Sequence, residues 1–277
     1  VTRRLAGALP TFGLNATMTI LALLALVPFG VALSWSFKPL EEIFRLPVSP
    51  IPQELSTQNY VDIFTQHHFE VFFRNSIVAA VGFTALGLLW SSMGGWSLSQ
   101  YRARIHGPLL VLLFLTIALP FQVMIVPAFE LVVRVGLANS LLALIIPFSA
   151  SAYGILFMRQ YMLSLPREVF ESARVDGASE LRIFRSLALP MARPGLAALA
   201  VFLFLDSWND FLWPLIVLTQ TQNLTYPLGL NLLIGLFHVE YGQMMAASML
   251  ALIPVALILL FMQRQFMAGI TAGAVRR

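Results

Sequence analysis

Ser164-Leu165-Pro166-Arg167-Glu168-Val169-Phe170-Glu171-Ser172-Ala173-Arg174-Val175-Asp176-Gly177-Ala178 is the polar stretch around which the rest of the chain can be read. Ser164 can cap a helix N-terminus, and Pro166 suits the first turn. Glu168 and Glu171 complement the positive end of the helix dipole. Gly177 can take the left-handed conformation that ends a helix, Ser179 can cap a second one, and Pro190 stops it. Val169, Phe170 and Ala173 form an apolar stripe at helical spacing, as do Leu181, Phe184 and Leu187. The pattern predicts two short amphipathic helices kinked at Asp176-Gly177. Such stripes need a burial partner. The inner ends of the chain's own helices are one option, and a groove on a soluble protein that receives a helix is another. A plain surface hairpin is the third reading that the residues alone leave open.

On both sides of this stretch the chain turns apolar. A spanning helix needs about 20 mostly apolar residues. Six candidates reach that length: roughly Ala16 to Phe37, Asn75 to Leu98, Pro108 to Leu131, Leu141 to Met162, Gly195 to Leu218 and Gln243 to Met262. Pro28, Pro120, Pro127, Pro147, Pro214 and Pro254 fall inside them, which packed membrane helices tolerate better than soluble ones. The composition agrees: 58% of residues are hydrophobic and 11% charged, with mean hydropathy +0.82, against roughly a quarter charged in soluble domains. An all-α membrane protein with about six transmembrane helices follows, with residues 1–277 forming a single transmembrane domain.

Net charge is +4 and the pI about 9.8. The basic residues lie between apolar runs instead of forming one stripe, so membrane topology explains them and a nucleic-acid partner is not expected. With the N-terminus inside, thirteen of the seventeen basic residues fall on the inner side. They are Arg3, Arg4, Arg102, Arg104, the six from Arg159 to Arg193, Arg264, Arg276 and Arg277. Lys38, Arg45, Arg74 and Arg134 fall outside. This bias puts both termini in the cytoplasm. It also makes 38–74 an outer loop, 159–194 a cytoplasmic loop and 263–277 a cytoplasmic tail. The first apolar run has no small-residue cleavage site close behind it, so no cleavable signal peptide is expected.

Several chemistries are excluded or unsupported. Cysteine is absent, which rules out disulfides, thiol catalysis and thiolate metal sites. His67, His68, His106 and His238 lack metal-ligand spacing with one another or with a carboxylate on one helix face. A phosphate-binding Walker A loop needs a lysine followed by Ser or Thr; the one lysine, Lys38, precedes Pro39. The chain is therefore not expected to hydrolyse ATP or to bind a cofactor. Glu130 and Arg134 are spaced to pair on one helix face. Asp206 and Asp210, four residues apart with Asn209 between, lie within the fifth span. Each Asp near a helix centre costs about 2.5–3.5 kcal/mol on insertion scales, so they must face a wet cavity, the interior or a partner helix. They either line a translocation path or brace the helix, and Asp210→Asn is expected to impair transport or assembly.

Glu171-Ser172-Ala173, then Asp176-Gly177-Ala178, then Leu189-Pro190 and Pro194 resemble the EAA loop of bacterial ABC importer permeases, with Ser172 where Ala is usual. Asn59-Tyr60 with Phe64, Arg74-Asn75-Ser76, Trp208-Asn209-Asp210 with Trp213-Pro214, and the tail Gly269-Ile270-Thr271-Ala272-Gly273-Ala274-Val275 are similar to the carbohydrate-type members. Trp96-Ser97-Leu98-Ser99-Gln100-Tyr101 departs slightly from their usual Tyr-Ala-Leu-Ala-Arg. The resemblance implies a type I ABC importer permease fold in the bacterial inner membrane. It implies that Glu171, Ala173, Asp176, Gly177, Ala178, Phe184, Leu189 and Pro190 belong to a coupling helix docking on a cytoplasmic ATPase, with tail contacts from Gly269, Thr271 and Gly273. The implied partners are a second permease subunit, two copies of the ATPase carrying ATP and Mg, and an extracytoplasmic solute-binding protein. The implied solute is a sugar, polyol or glycerol phosphate, and in the related maltose importer the paired subunit carries the sugar contacts. A secondary carrier or channel without ATP would also hold intramembrane acids, but gives no reason for Ser164 to Pro194. An intramembrane aspartyl protease needs carboxylates facing each other, and one turn apart on one helix is poor geometry for that.

Overall fold

The computed structural model describes residues 8–47, 49–101, 103–235 and 239–274, with side chains from 13 to 262. Its main helices are α1 (Ala8–Ser36), α2 (Gln58–Thr65), α3 (Phe69–Gln100), α4 (His106–Ala118), α5 (Phe121–Arg134) and α6 (Ala152–Leu163). They continue as α7 (Arg167–Val175), α8 (Glu180–Ile183), α9 (Arg193–Asn209), α10 (Leu212–Val217), α11 (Tyr226–Leu232) and α12 (Tyr241–Ala274). Gly13–Ser36, Phe69–Gln100 and Tyr241–Met262 are each long and apolar enough to cross a membrane. Two bent pairs meet the same test jointly: α4 with α5, bent by 103°, and Glu180–Met191 with α9, bent by 76°.

The expected third, fourth and fifth spans are thus not continuous helices. Between α4 and α5, Leu119 is extended (φ −76°, ψ 125°) ahead of Pro120, as the steric demand of a following proline ring requires. In the expected span from Leu141 to Met162, one turn (Leu142–Ile145) is followed by a break, and the helix restarts only at α6. Pro147 lies in that break. Ser149 donates to the Ile146 carbonyl, and Ser151 caps α6 by accepting the Gly154 N–H. Local side-chain hydrogen bonds of this kind compete with helix continuation. In the expected span from Gly195 to Leu218, α9 stops at Asn209 and the chain is extended at Asp210 (φ −66°, ψ 124°) before α10.

The chain divides into two compact units: Val1–Phe69 with Leu230–Ile253, and Glu70–Gly229 with Pro254–Arg277. The first holds a polar knot at the end of α1. Lys38 is 1% exposed; its Nζ donates to the Ser49 carbonyl and lies 3.5 Å from Glu42. The Glu42 carboxylate accepts the N–H groups of Gln53 (2.9 Å) and Glu54 (3.4 Å). Those bonds, Gln53's first, with Lys38 beside them, hold the Glu42 carboxyl below its ordinary range. Asn59 and Tyr60 fasten α2 to this end of α1. Asn59 Nδ2 donates to the Ser36 and Lys38 carbonyls, and the Tyr60 hydroxyl pairs with Ser36 Oγ at 2.9 Å.

The second unit packs around α3, α6 and α9. Gly87, Ser91 and Gly95 recur every four residues along α3, giving it a face where backbones approach closely. A Cβ on Gly95 would lie 2.7 Å from Met158 Cβ and from the Arg159 nitrogen, and one on Gly154 would meet Ser91 Oγ. The resulting core holds Phe83, Trp96, Met158, Met162, Leu199 and Leu203. A separate aromatic cluster joins Phe121, Phe148 and Trp213, whose indole Nε1 donates to the Ala143 carbonyl at 2.9 Å. Near it Asn139, at positive φ (58°), accepts the Thr219 and Gln220 N–H groups through Oδ1. Asn75 Nδ2 donates to the Gln222 and Leu224 carbonyls, and Ser76 Oγ accepts the Tyr226 N–H. Glu130 and Arg134 pair at 3.4 Å with both side chains largely exposed, a contact worth little.

Candidate functional site

The segment 164–192 folds as two arms about Gly177. α7 ends with Gly177 at φ 79°, its N–H donating to the Arg174 carbonyl and the Ala178 N–H to the Ala173 carbonyl. These paired bonds satisfy the last carbonyls of a helix when the following residue is left-handed, which glycine does without strain. Two cap expectations are corrected. Ser164 ends α6, its hydroxyl donating to the Tyr161 carbonyl, while Pro166 occupies the cap position of α7. Pro190 does not stop the second arm. The helix widens over Phe184–Ala188, where the Leu189 N–H reaches the Phe184 carbonyl, and runs on through Met191. The wider turn accommodates a residue that has no N–H and whose ring crowds the preceding turn.

The apolar stripe divides between two environments. Phe170 and Ile183 are fully buried in the chain's own core. The Phe170 ring meets Trp96 edge-on at 5.1 Å, and Phe184 lies 6.0 Å from Trp96. Ala173, Ala178, Phe184 and Leu187 pack partly against the same core. The other side of the hairpin is open. Glu168, Val169, Glu171, Ser172, Asp176, Gly177 and Leu181 are exposed, and Val175 is 88% exposed. Of the coupling positions expected from sequence, Glu171, Asp176 and Gly177 are on the open side. Ala173, Ala178 and Phe184 form the seam with the core, and Leu189 and Pro190 are half-buried where the second arm turns into α9. Gly269, Thr271 and Gly273 belong to the backbone of α12, with side chains outside the described residues. Arg3, Arg4, Arg102, His238, Val275, Arg276 and Arg277 also lie outside them.

A polar clamp joins the two arms to the end of α3. Glu180 accepts Arg174 Nε at 2.7 Å on Oε1, and Arg174 Nη2 at 3.3 Å with Tyr101 Oη at 2.6 Å on Oε2. The Glu180 hydrogen bonds raise the proton affinity of the Arg174 guanidinium further, so its charge is fixed. Arg159 Nε donates to the Leu98 carbonyl at 3.3 Å, at the same helix end. Sequence reasoning missed Trp96, Tyr101 and Glu180. The signal for Trp96 was its place next to Gly94-Gly95; the clamp left none, because its members are up to 79 positions apart.

On α9, Gly195, Ala198, Leu199, Val201, Leu203, Phe204 and Trp208 are buried, while Phe202, Asp206 and Asn209 are exposed. Asn209 Nδ2 turns back to the Leu205 carbonyl at 2.7 Å, and Asp210 accepts the Trp213 N–H at 3.3 Å across the break. Asp210 therefore has a local partner at the start of α10, whereas Asp206 projects from the side of α9 away from the core.

A helical hairpin fixed on a membrane core, with one charged and apolar side uncovered, is suited to receiving another protein. The family model for the binding-protein-dependent transport system inner membrane component matches residues 84–271. The chain belongs to this family. It is 37% identical over 261 residues to the arabinooligosaccharides transport system permease protein AraQ of Bacillus subtilis, covering 93% of this chain and 92% of the relative. It is 34% identical over 266 residues to the protein of the same name from Halalkalibacterium halodurans, covering 95% of each. Among solved structures, a chain of a bacterial ABC transporter involved in import of the acidic polysaccharide alginate superposes with a TM-score of 0.81. That match has 24% identity over 92% of this chain and 96% of the other, and shows a shared fold. The type I ABC importer permease fold expected from sequence is therefore the fold of this chain. The protein is an inner-membrane permease subunit of an ATP-driven importer. ATP is hydrolysed on a separate ATPase, and a solute-binding protein delivers the solute.

Proposed function

We propose that this chain forms one half of a carbohydrate translocation pathway, pairs with a second permease subunit and is driven by two ATPase copies. One of these seats on the open side of α7 and α8. The observation that carries the reading is the division of the hairpin: Phe170 and Ile183 are held by the core, while Val175, Leu181, Glu171 and Asp176 stay uncovered. Apolar residues left exposed at a turn between polar arms have a natural occupant in a groove that accepts a helix. The arginine bias of 159–194 supports placing this hairpin and both termini in the cytoplasm. The relatives named for arabino-oligosaccharides support an oligosaccharide as solute.

Asp206 lines the pathway in this reading. An exposed carboxylate on a membrane helix is costly against lipid and useful against sugar hydroxyls, which it accepts as hydrogen bonds. Asp210, bound to the Trp213 N–H, braces the α9–α10 break. The test is uptake of labelled arabino-oligosaccharides by vesicles holding the assembled complex with Asp206→Leu. A pathway role lowers uptake per assembled complex while ATPase content stays at the wild-type level. Loss of assembly with unchanged uptake per complex would make Asp206 a bracing residue instead.

A further inference from the structure

We propose that Glu180 is a positioning residue for force transfer, acting through the clamp Arg174–Glu180–Tyr101 that ties both arms of the hairpin to the end of α3; this rests on the reading that the ATPase seats on α7 and α8. Arg174 lies in the last turn of α7, Glu180 begins α8, and Gly177 at φ 79° reverses the chain between them. Glu180 therefore bridges the hinge. Its second oxygen also accepts the hydroxyl of Tyr101, the residue directly after α3. A load on the open side of α7 reaches α3 along two lines. One is the apolar contact of Phe170, and of Phe184 on the second arm, with Trp96, and the other is this chain of hydrogen bonds.

The two lines differ in kind. An aromatic contact tolerates sliding and rotation. Two hydrogen bonds from a guanidinium to a carboxylate are directional and fix the angle between the groups that carry them. The side chains of Arg174 and Glu180 are 32% and 42% exposed, and ion pairs so exposed to solvent add little to stability. Removing the clamp therefore leaves the hairpin docked through Phe170 and Ile183, but lets the hinge angle drift. Motion imposed on α7 is then lost in the hinge before it reaches α3.

The experiment uses the complex co-purified with its ATPase. The chain has no native cysteine, so with the partner subunits' cysteines replaced, a single spin label at Leu89→Cys, an exposed position on α3, reports that helix alone. The fraction of label that changes environment on trapping with ATP and vanadate is measured for the otherwise wild-type chain, Glu180→Gln, Tyr101→Phe and the double variant. The clamp predicts wild-type ATPase content throughout and a responding fraction reduced by roughly fivefold or more in Glu180→Gln, the low end of ordinary coupling between sites. Tyr101→Phe shows part of that loss, and the double variant is no worse than Glu180→Gln, because the residues act as one unit. A full response in Glu180→Gln overturns the proposal, as does an α3 label that ignores nucleotide in the wild-type clamp. Should Glu180→Gln lose its ATPase, Tyr101→Phe decides: a reduced response supports the clamp and a full response overturns it. Failure of the wild-type chain to hold an ATPase would overturn the docking reading, and the clamp's role with it.

Discussion

Phe170→Ala removes the ring that holds the first arm of the hairpin. That ring is fully buried, packs edge-on against Trp96 at 5.1 Å, and sits in a core with Met158, Met162 and Ile183. Truncating a buried Phe costs about 3–5 kcal/mol, through lost transfer energy and the cavity left behind. Since α7 is a surface arm, that loss falls on its docked state more than on the membrane core. With each 1.4 kcal/mol worth a factor of ten, the undocked population rises by roughly two to three and a half orders of magnitude. Hydrogen exchange of the α7 amides in the chain purified without its ATPase, where the open side carries no partner, measures this directly. The Asp176 and Ala178 N–H groups, bonded to the Ser172 and Ala173 carbonyls, should exchange faster by about that factor. Val169→Ala, at the exposed neighbouring position, should change exchange by a factor of about two or less, corresponding to within 0.5 kcal/mol. Exchange in Phe170→Ala within about threefold of wild type, or an equal effect in Val169→Ala, would refute the division of the hairpin into a held and an open side.

Three further outcomes follow from packing and charge. Gly95→Val places new atoms against the Met158 and Arg159 backbone, where nothing flexible can yield; the overpacking costs about 1–3 kcal/mol or more and lowers the yield of assembled complex, while Gly107→Ala, with open space at its Cβ, leaves the yield unchanged. Asn139→Ala loses the left-handed preference and the acceptor for Thr219 and Gln220, so protease nicking within 218–224 should increase with α9 still protected. Glu42 has a carboxyl held below its ordinary 4.5, so its contribution is complete above that value and lost as pH falls through the lower folded value; cleavage within 44–57 should stay flat above 4.5 and rise only as pH falls below it, with that rise abolished in Glu42→Gln.

The helical membrane class was legible in composition because hydropathy counts the property that decides it. Span continuity was not. Pro28 and Pro254 lie inside unbroken helices, whereas Pro120 marks a bend of 103° and Pro147 lies in a break. The residue type is the same in all four. At Pro147 the neighbouring Ser149 and Ser151 offer the backbone another set of hydrogen bonds, and at Pro120 the preceding Leu119 is extended. The hairpin was legible because its ends are written locally: Gly177 has to be left-handed, and two apolar stripes flank it. Which side of each stripe is buried was not written there. Phe170 turns inward because Trp96, 74 positions earlier, supplies its pocket. For the same reason the Tyr101 link to Glu180 escaped the sequence. Asp206 and Asp210 were conspicuous as charges, but only the break at Asp210 separates a braced carboxylate from an uncovered one.

Cross-linking from a single cysteine at Val175 in intact membranes tests most directly whether the open side of α7 is the ATPase seat. A short thiol-directed cross-linker should join Val175→Cys to the ATPase, and leave Leu55→Cys, 81% exposed in the 38–74 loop, free of it. An ATPase product from position 55 and not from 175, or labelling of position 175 by an impermeant thiol reagent applied from outside, would contradict it.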